Sequence, residues 1–363
     1  MATTKTWVGT TGDFQLASNW RAVIITKPAY RWLLSGSGTN EYYLDLIGGG
    51  NPNIPQPVTV TANDIALSTG TAGSLAASRW AYADNDSLGY STIYVRLADS
   101  TDPDTKASGY VTYNDIPRSG DAIDIPAGSG TITSNLDLSG TTLGKITVSA
   151  GQSSAIGSAT GYLRLTGTGF EFNGSGVSYI DLAASAIIAT VKNTANVSSG
   201  GRGLYLKGSA LTLLNIEGGN TGFAWLGGET ASATSVRVVG NGSLWIGSGA
   251  TVTTLQAEAG STVVYCALTT LTQLNGDVRT EGSGAITTVN TSGGNFIPNS
   301  SGTIGTHNVS GGFTDWYQCG VARTVSQINL ARGAGWSIAF NKEAVTYTAI
   351  AVSDSQKLNG GAV

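Results

Sequence analysis

The sequence predicts an all-β chain: a right-handed parallel β-helix (β-solenoid) with an antiparallel β-sandwich inserted near its N-terminus. Three observations predict this fold, namely the composition, the short apolar runs between glycine-rich turns, and an internal repeat. The chain has 51 glycines and is 40% hydrophobic, with 8 Trp and 14 Tyr. So many apolar side chains exclude a disordered chain, and the many glycines favour short strands joined by tight turns.

The internal repeat predicts the solenoid. The segment Ile286-Thr-Thr-Val-Asn-Thr-Ser-Gly-Gly recurs directly downstream as Ile304-Gly-Thr-His-Asn-Val-Ser-Gly-Gly. A period of about 20 residues is too short for a propeller blade and contains no helical segment, so stacked β-coils are expected. Looser copies of the repeat match Leu255 with Leu274 and Ile216 with Val238.

The first residues resemble the start of many bacterial and phage β-helices. The stretch Trp7-Val-Gly-Thr-Thr-Gly-Asp-Phe-Gln-Leu-Ala-Ser-Asn-Trp20 matches their W-x-G…GD-F/W…NW signature, but the Pro and Gly-Asp strand that should follow comes only at Ile116-Pro-Arg-Ser-Gly-Asp-Ala-Ile-Asp-Ile125. An inserted domain explains the delay. We therefore predict a cap segment at 1–23, an inserted sandwich at 24–113, the β-helix at 114–335 and a C-terminal cap or oligomerisation segment at 336–363.

The insert contains five predicted strands. The sequence of the insert resembles a module of bacteriophage and prophage particle proteins. The segments that carry this resemblance include Asn40-Glu-Tyr-Tyr-Leu, Asp84-Asn-Asp-Ser-Leu-Gly and Thr92-Ile-Tyr-Val-Arg-Leu. This resemblance extends from the N-terminus to just beyond the insert and implies a virion structural protein, without transferring any catalytic residue. The strands are expected at Arg31–Leu34, Glu41–Leu46, Val58–Thr61, Thr92–Leu97 and Tyr110–Tyr113.

The resemblance implies a location in the virion, after assembly in the host cytoplasm. We expect a capsid-bound decoration or cement protein, with a tail fibre or tailspike that binds host surface glycans as the alternative. The expected partners are the major capsid protein or other virion proteins, a homotrimer of this chain and, for the alternative, a host glycan. A bacterial surface adhesin is disfavoured because no signal peptide is recognisable.

Charge and hydropathy exclude two other classes of partner. The net charge is -4 and the 19 Lys and Arg are scattered, so no basic surface is expected to bind nucleic acid directly. No run of 18 apolar residues occurs, so no membrane span is expected.

The pattern of acidic, His and Cys residues predicts a protein that is not an enzyme and that carries no metal or cofactor. Hydrolysis of a glycan needs two neighbouring carboxylates, and only Asp277 and Glu281 cluster among the acids of the solenoid. The single histidine, His307, occupies the repeat position of Val289 and is expected to be structural. The other solenoid acids come about one per coil: Glu171, Asp181, Glu217, Glu229, Glu258 and Asp315.

Two groups of aromatic residues are candidate binding surfaces. Trp225 and Trp245 are separated by about one repeat, each within an apolar-x-apolar strand. If exposed, they would form an aromatic ladder on which a glycan or a partner protein could stack; if they point inward, they belong to the core. The second group is expected to cap the last coil or to pair with sister chains: Trp316, Tyr317, Trp336 and Tyr347. Cys266 and Cys319 fit no metal spacing and are expected to be buried thiols.

Overall fold

The computed structural model of the chain is all-β, with 55% strand and 2% helix, and contains a β-solenoid of about 11 turns. The predicted fold class is therefore confirmed. The structure describes residues 4–9, 12–25, 30–54, 56–57, 59–62, 65–106, 110–197, 201–331, 336–339 and 345–352. The chain forms two compact units, Met1–Asn135 and Leu136–Val363.

The first unit contains ten strands and two short 3-10 helices, at Ala17–Asn19 and Pro103–Thr105, within its described residues. The strands are β1 (Thr4–Trp7), β2 (Trp20–Ile25), β3 (Tyr30–Leu34), β4 (Tyr42–Leu46), β5 (Val60–Ala62), β6 (Ile65–Thr69), β7 (Arg79–Ala83), β8 (Thr92–Arg96), β9 (Tyr110–Tyr113) and β10 (Ala122–Ile125).

Strand pairing in this unit has the pattern of an insertion. Strand β1 pairs in parallel with β10, so that Lys5 lies opposite Ile123. Strands β2 and β9 pair antiparallel, with Ala22 opposite Tyr113. The chain therefore leaves and returns at adjacent positions, and a long stretch of sequence separates two strands that are neighbours in space. The exact domain boundaries stay predictions.

The insert folds around its own apolar core. Strands β3, β4, β8 and β7 pair antiparallel in that order, and β5 pairs with both β9 and β6. Strands β6 and β7, which also pair with each other in parallel, were not predicted. Only Leu67 of β6 is buried, so the strand lacks the alternation that sequence patterns rely on. The buried core includes Trp32, Leu44, Trp80 and Ile93.

The second unit contains sixteen strands within its described residues. They are β11 (Asp137–Val148), β12 (Leu163–Phe172), β13 (Ser178–Val191), β14 (Leu204–Ile216), β15 (Asn220–Phe223), β16 (Ala231–Val238), β17 (Ser243–Ile246), β18 (Ala250–Ala257), β19 (Ser261–Val264), β20 (Leu268–Gln273), β21 (Asp277–Thr280), β22 (Ile286–Pro298), β23 (Ile304–Asp315), β24 (Arg323–Leu330), β25 (Trp336–Ala339) and β26 (Val345–Val352).

All pairings between these strands are parallel, and the observed register tests the predicted repeat. Ile286 lies opposite Ile304 and Ile216 lies opposite Val238, as their spacings predict. The pairing of Leu255 with Leu274 is wrong, because Leu255 lies opposite Leu271 and Leu274 is exposed. Coils differ in loop length, so one constant spacing cannot follow them all.

The inside of the solenoid is a stack of apolar side chains. One inward column consists of Leu255, Leu271, Val289, His307 and Ile328, all buried. Parallel pairing also continues beyond the predicted boundary at residue 335, because β25 pairs with β23 and β26 pairs with β24. In the part of the chain that the structure describes, no helix has the length and apolarity that a membrane crossing requires.

Candidate functional site

A row of aromatic side chains runs along the outside of the solenoid. Tyr179 in β13 lies opposite Tyr205 in β14, and their rings stack with centroids 4.6 Å apart and an interplanar angle of 3°. The ring of Tyr162, just before β12, contacts Tyr179 edge to face at 5.6 Å. All three side chains are half-buried, so their outer surfaces face solvent.

A glycine makes room for a cation in the row. Gly222 in β15 lies opposite both Tyr205 and Trp245, so an aromatic at this position would continue the column. Arg202 fills the gap instead, with its guanidinium carbon 3.6 Å from the ring centroid of Trp245 and 4.6 Å from that of Trp225. A Cβ on Gly222 would lie 2.7 Å from Trp225 Cβ, so only glycine fits.

The predicted Trp225 and Trp245 pair is part of this row, in a different arrangement. Trp245 lies in β17, but Trp225 follows β15, in the loop reached through the left-handed Ala224 (φ 47°). Both side chains are half-buried, and Trp225 contacts Tyr265 at 5.5 Å. The two tryptophans are therefore joined through Arg202 and do not form a continuous ladder on their own. We call Tyr162, Tyr179, Tyr205, Arg202, Trp225, Trp245 and Tyr265 the aromatic row.

A groove of about 720 Å³ lies beside the Tyr162 end of the row. Small residues form most of its lining, including Gly208, Gly227 and Gly228. The larger polar side chains in the lining are Tyr162, Arg164, Asp181, Lys207 and Glu229. Because four of these five are charged, we call this cavity the charged groove.

Charges of opposite sign alternate along a column of side chains that forms one wall of the groove and continues to Asp137 outside the lining. The strand register places Asp137, Arg164, Asp181 and Lys207 on four successive coils. Arg164 lies 3.6 Å from Asp137 and 3.4 Å from Asp181, and the Lys207 Nζ lies 4.1 Å from the ring centroid of Tyr162. Burial raises the pKa of Asp181, although Lys207 and Arg164 oppose the shift. The wall is therefore close to neutral as a whole.

Glu229 comes from a loop and brings a further carboxylate into the groove. Its Oε2 accepts a hydrogen bond from the backbone N–H of Leu226 at 2.9 Å. Burial, and then the Glu229 carboxylate, raise the pKa of Tyr162. The Tyr162 hydroxyl is buried and lies near the Glu229 carboxylate, but has no hydrogen-bond partner of ordinary geometry within the described residues. A ligand or water that supplies that partner would satisfy it.

The sequence did not reveal this convergence of charged groups. Asp181 and Glu229 are far apart in sequence, and they meet because Asp181 in β13 and Glu229 in the loop before β16 line the same groove. The predicted cluster of Asp277 and Glu281 forms no such groove: Glu281 pairs with Arg279 beside it. The tyrosines carried the only usable signal, since Tyr162, Tyr179 and Tyr205 each precede a buried Leu or Ile.

No family model, curated protein or solved structure matches the chain. Within the described ranges, no three His, Cys, Asp or Glu side chains come together as metal ligands would. The contacts of the row and the groove are therefore the basis for a function.

The other predicted site residues lie near the C-terminal end. Trp316 is fully buried, with its ring 5.8 Å from His307, whereas Tyr317 is 73% exposed. Trp336 begins β25 and Tyr347 lies half-buried in β26. Their role in a cap or an oligomer stays a prediction.

The buried polar groups match their expected positions. His307 lies opposite Val289, as the repeat predicts. Cys266 and Cys319 are free and buried, and burial raises the pKa of the Cys266 thiol to about 11. A thiol with so high a pKa is a poor nucleophile, which fits a packing role.

Proposed function

We propose that the chain is a non-enzymatic structural protein of a bacteriophage particle whose solenoid binds a host surface glycan. The aromatic row beside the charged groove is the observation that carries this proposal. Ring faces within the row are covered by the Tyr179–Tyr205 stack, by Lys207 and by Arg202, so the row offers a sugar the apolar outer edges of its rings. The groove supplies hydrogen-bond donors and acceptors for hydroxyl groups. The place in a virion rests on the resemblance of the N-terminal module.

The dimensions of the row suit an extended chain molecule. From Tyr162 to Trp245 it spans four strand spacings, roughly 19 Å at about 4.8 Å each. A polysaccharide lying parallel to the solenoid axis would meet about one coil per sugar unit. Strands of the solenoid hold the rings of Tyr179, Tyr205 and Trp245 in place, so little conformational entropy is lost when a ligand binds to these three.

We infer binding without cleavage because the resemblance behind the virion role transfers no catalytic residue, and because Arg164 and Lys207 oppose the rise in the pKa of Asp181 that a proton donor would need. Glycoside hydrolysis needs one carboxyl group that donates a proton and a second that attacks or activates water. Incubation of a bound glycan with the protein should therefore release no new reducing ends.

The experiment that tests glycan binding uses the full chain on a panel of surface polysaccharides from the host. Tyr205→Ala removes the central ring, and we expect it to weaken binding by about tenfold, which is about 1.4 kcal/mol. Tyr317→Ala is the matched control, since Tyr317 is 73% exposed and lies outside the row. Thermal melting shows whether each variant is folded. The proposal would be refuted if the wild-type chain bound none of the polysaccharides, or if folded Tyr205→Ala bound them as tightly as the wild type.

A second candidate function is that of a capsid-bound decoration or cement protein. One uncharged surface of the solenoid supports it. Outward columns on β18 to β24 carry uncharged hydrogen-bonding side chains, and Asn308 donates to Asn290 at 2.8 Å along one column. Protein interfaces are depleted of charge at their centres, and a stable one buries about 1,600 Å². The columns consist of Thr254, Thr270, Thr288, Thr306 and Gln327, and of Gln256, Thr272, Asn290, Asn308 and Asn329.

The position and number of copies on purified particles distinguish the two candidates. A decoration protein, as a homotrimer bound to the major capsid protein, would be present in many copies over the shell. A glycan-binding fibre would be present in few copies at the tail. Labelling of intact particles with an antibody against this chain measures both, and absence from the particle would refute both.

A further inference from the structure

The charged groove contains one cation and one carboxylate that do not pair with each other. Among the charged side chains of its lining, Arg164 and Asp181 form an ion pair at 3.4 Å, which leaves Lys207 and Glu229. Within the part of the chain that the structure describes, neither Lys207 nor Glu229 has an ion-pair partner within 4.0 Å. The lining is therefore neutral as a whole, but it offers a ligand two separate charges of opposite sign.

Tyr162 lies between these two charges. The Nζ of Lys207 lies 4.1 Å from the centroid of the Tyr162 ring, and the Glu229 carboxylate lies near the hydroxyl of the same side chain. Lys207 turns to this ring although Asp181 lies opposite it in the register. Glu229 is held by the hydrogen bond that it accepts from the Leu226 N–H at 2.9 Å. Both charged side chains are half-buried, so a ligand in the groove can contact them.

A ligand with only one kind of charge gains little from such an arrangement. A carboxylate at Lys207 is attracted to it but is repelled by Glu229, and an ammonium group at Glu229 is likewise repelled by Lys207. A ligand that carries both groups satisfies both side chains, whatever the net charge of the groove. An acidic sugar next to an amino sugar supplies these two groups within one chain.

We propose that the charged groove binds a zwitterionic glycan, with the ammonium group of an amino sugar at Glu229 and the acidic group of its neighbour at Lys207. This inference rests on the proposed function and names the class of glycan for the same site. It assigns separate roles to two side chains, so each role can be tested by its own substitution.

The test compares four forms of one polysaccharide at equal length. Oligomers of alternating glucuronic acid and N-acetylglucosamine are used with the amine acetylated or free, and with the carboxyl group intact or reduced to an alcohol. These treatments give anionic, zwitterionic, neutral and cationic ligands, and calorimetry measures their binding to the full chain. We expect the zwitterionic form to bind about tenfold more tightly than each of the others, which is about 1.4 kcal/mol.

Two variants assign the charges of the ligand to their side chains. With Lys207→Gln, the zwitterionic form should bind no more tightly than the cationic form, because the carboxylate loses its partner. With Glu229→Gln, it should bind no more tightly than the anionic form, because the ammonium group loses its partner. Lys192→Gln and Glu217→Gln are the matched controls, since both residues are exposed and lie outside the lining. The controls should keep the tenfold preference, and thermal melting shows whether each variant is folded.

The selection would be overturned if another form bound as tightly as the zwitterionic one, or if none of the four forms bound. It would also be overturned if a folded groove variant kept the preference, or if the controls lost it to the same extent. Glycan binding itself would stand in each case as long as the wild type bound a polysaccharide of the host panel. A negative host panel together with no binding of the four forms would overturn the proposed function.

Discussion

His307 shows how one side chain links the interior of the solenoid to the pH dependence of stability. It lies in an inward column between Val289 and Ile328, and its Nε2 lies 3.2 Å from Thr291 Oγ1. Burial, with a smaller effect of Arg323, lowers the pKa of His307 to about 3. The folded chain therefore keeps this imidazole neutral over the whole range in which a free histidine takes up a proton.

The sign of the pH dependence follows from that shift. Below pH about 6.5, the ordinary histidine pKa, the unfolded chain binds a proton at His307 that the folded chain does not bind. The contribution of neutral His307 to the free energy of unfolding is therefore fully present above that pH and is lost as the pH falls toward about 3. At pH 5 the loss amounts to roughly 2 kcal/mol. His307 is the single histidine of the chain, so no other imidazole contributes.

We predict that His307→Leu removes this loss. Leucine suits the column, since Val289 and Ile328 occupy the neighbouring coils. Urea denaturation at pH 7.5 and pH 5 should show a decrease in the free energy of unfolding that is smaller in the variant by roughly 2 kcal/mol. The acidic side chains titrate alike in both proteins and cancel. An identical decrease in wild type and variant would contradict the shifted pKa.

Among the elements, the corners of the coils depend on glycine for two separate reasons. Gly260 has φ 69°, and an added Cβ would lie only 2.1 Å from the carbonyl oxygen of Gly242 in the preceding coil. Gly282 has nearly the same φ, 68°, but its nearest atom would lie 3.5 Å away. Substitution of Gly282 therefore tests backbone strain alone, whereas substitution of Gly260 tests backbone strain together with a collision between stacked coils.

We predict that Gly282→Ala costs about 1 kcal/mol, the strain of a left-handed alanine. Gly260→Ala should cost about 3 kcal/mol or more, because the Gly242 carbonyl of the preceding coil must also move. The midpoints of urea unfolding of both variants measure the difference. Equal costs would mean that the coils are less tightly stacked at this corner than the structure shows.

At the scale of the whole chain, a buried ion pair joins strands that lie far apart in sequence. Lys5 in β1 lies 3.1 Å from Asp115 and 3.8 Å from Asp121, and its side chain is 2% exposed. This contact holds the two sides of the insertion together within the first unit. Breaking it leaves buried carboxylates without this cation.

We predict that Lys5→Met lowers the free energy of unfolding by about 3 kcal/mol. Lys145→Met is the control, because Lys145 is 58% exposed and its partner Glu171 keeps a second ion pair with Lys192. That change should cost less than about 1 kcal/mol. Thermal unfolding of the full chain distinguishes the two, and a similar small effect of both would show that the buried pair contributes little.

The sequence by itself determined the fold class, most of the strands and the pairing of His307 with Val289 on neighbouring coils. Alternating apolar residues and corner glycines act locally, so they can be recognised in a short segment. Where loop length was constant, as between Ile286 and Ile304, the spacing also gave the register.

Only the tertiary structure decided which residues meet on the outside of the solenoid. Tyr162, Tyr179 and Tyr205 are unequally spaced in the sequence, and Trp245 lies opposite Gly222, although Trp225 is the aromatic residue at the regular spacing. Loops of unequal length shift the position at which each coil returns, and a loop also carries Glu229 to the groove of Asp181. Outward side chains contribute little to the apolar core, so no pattern in the sequence marks where they converge.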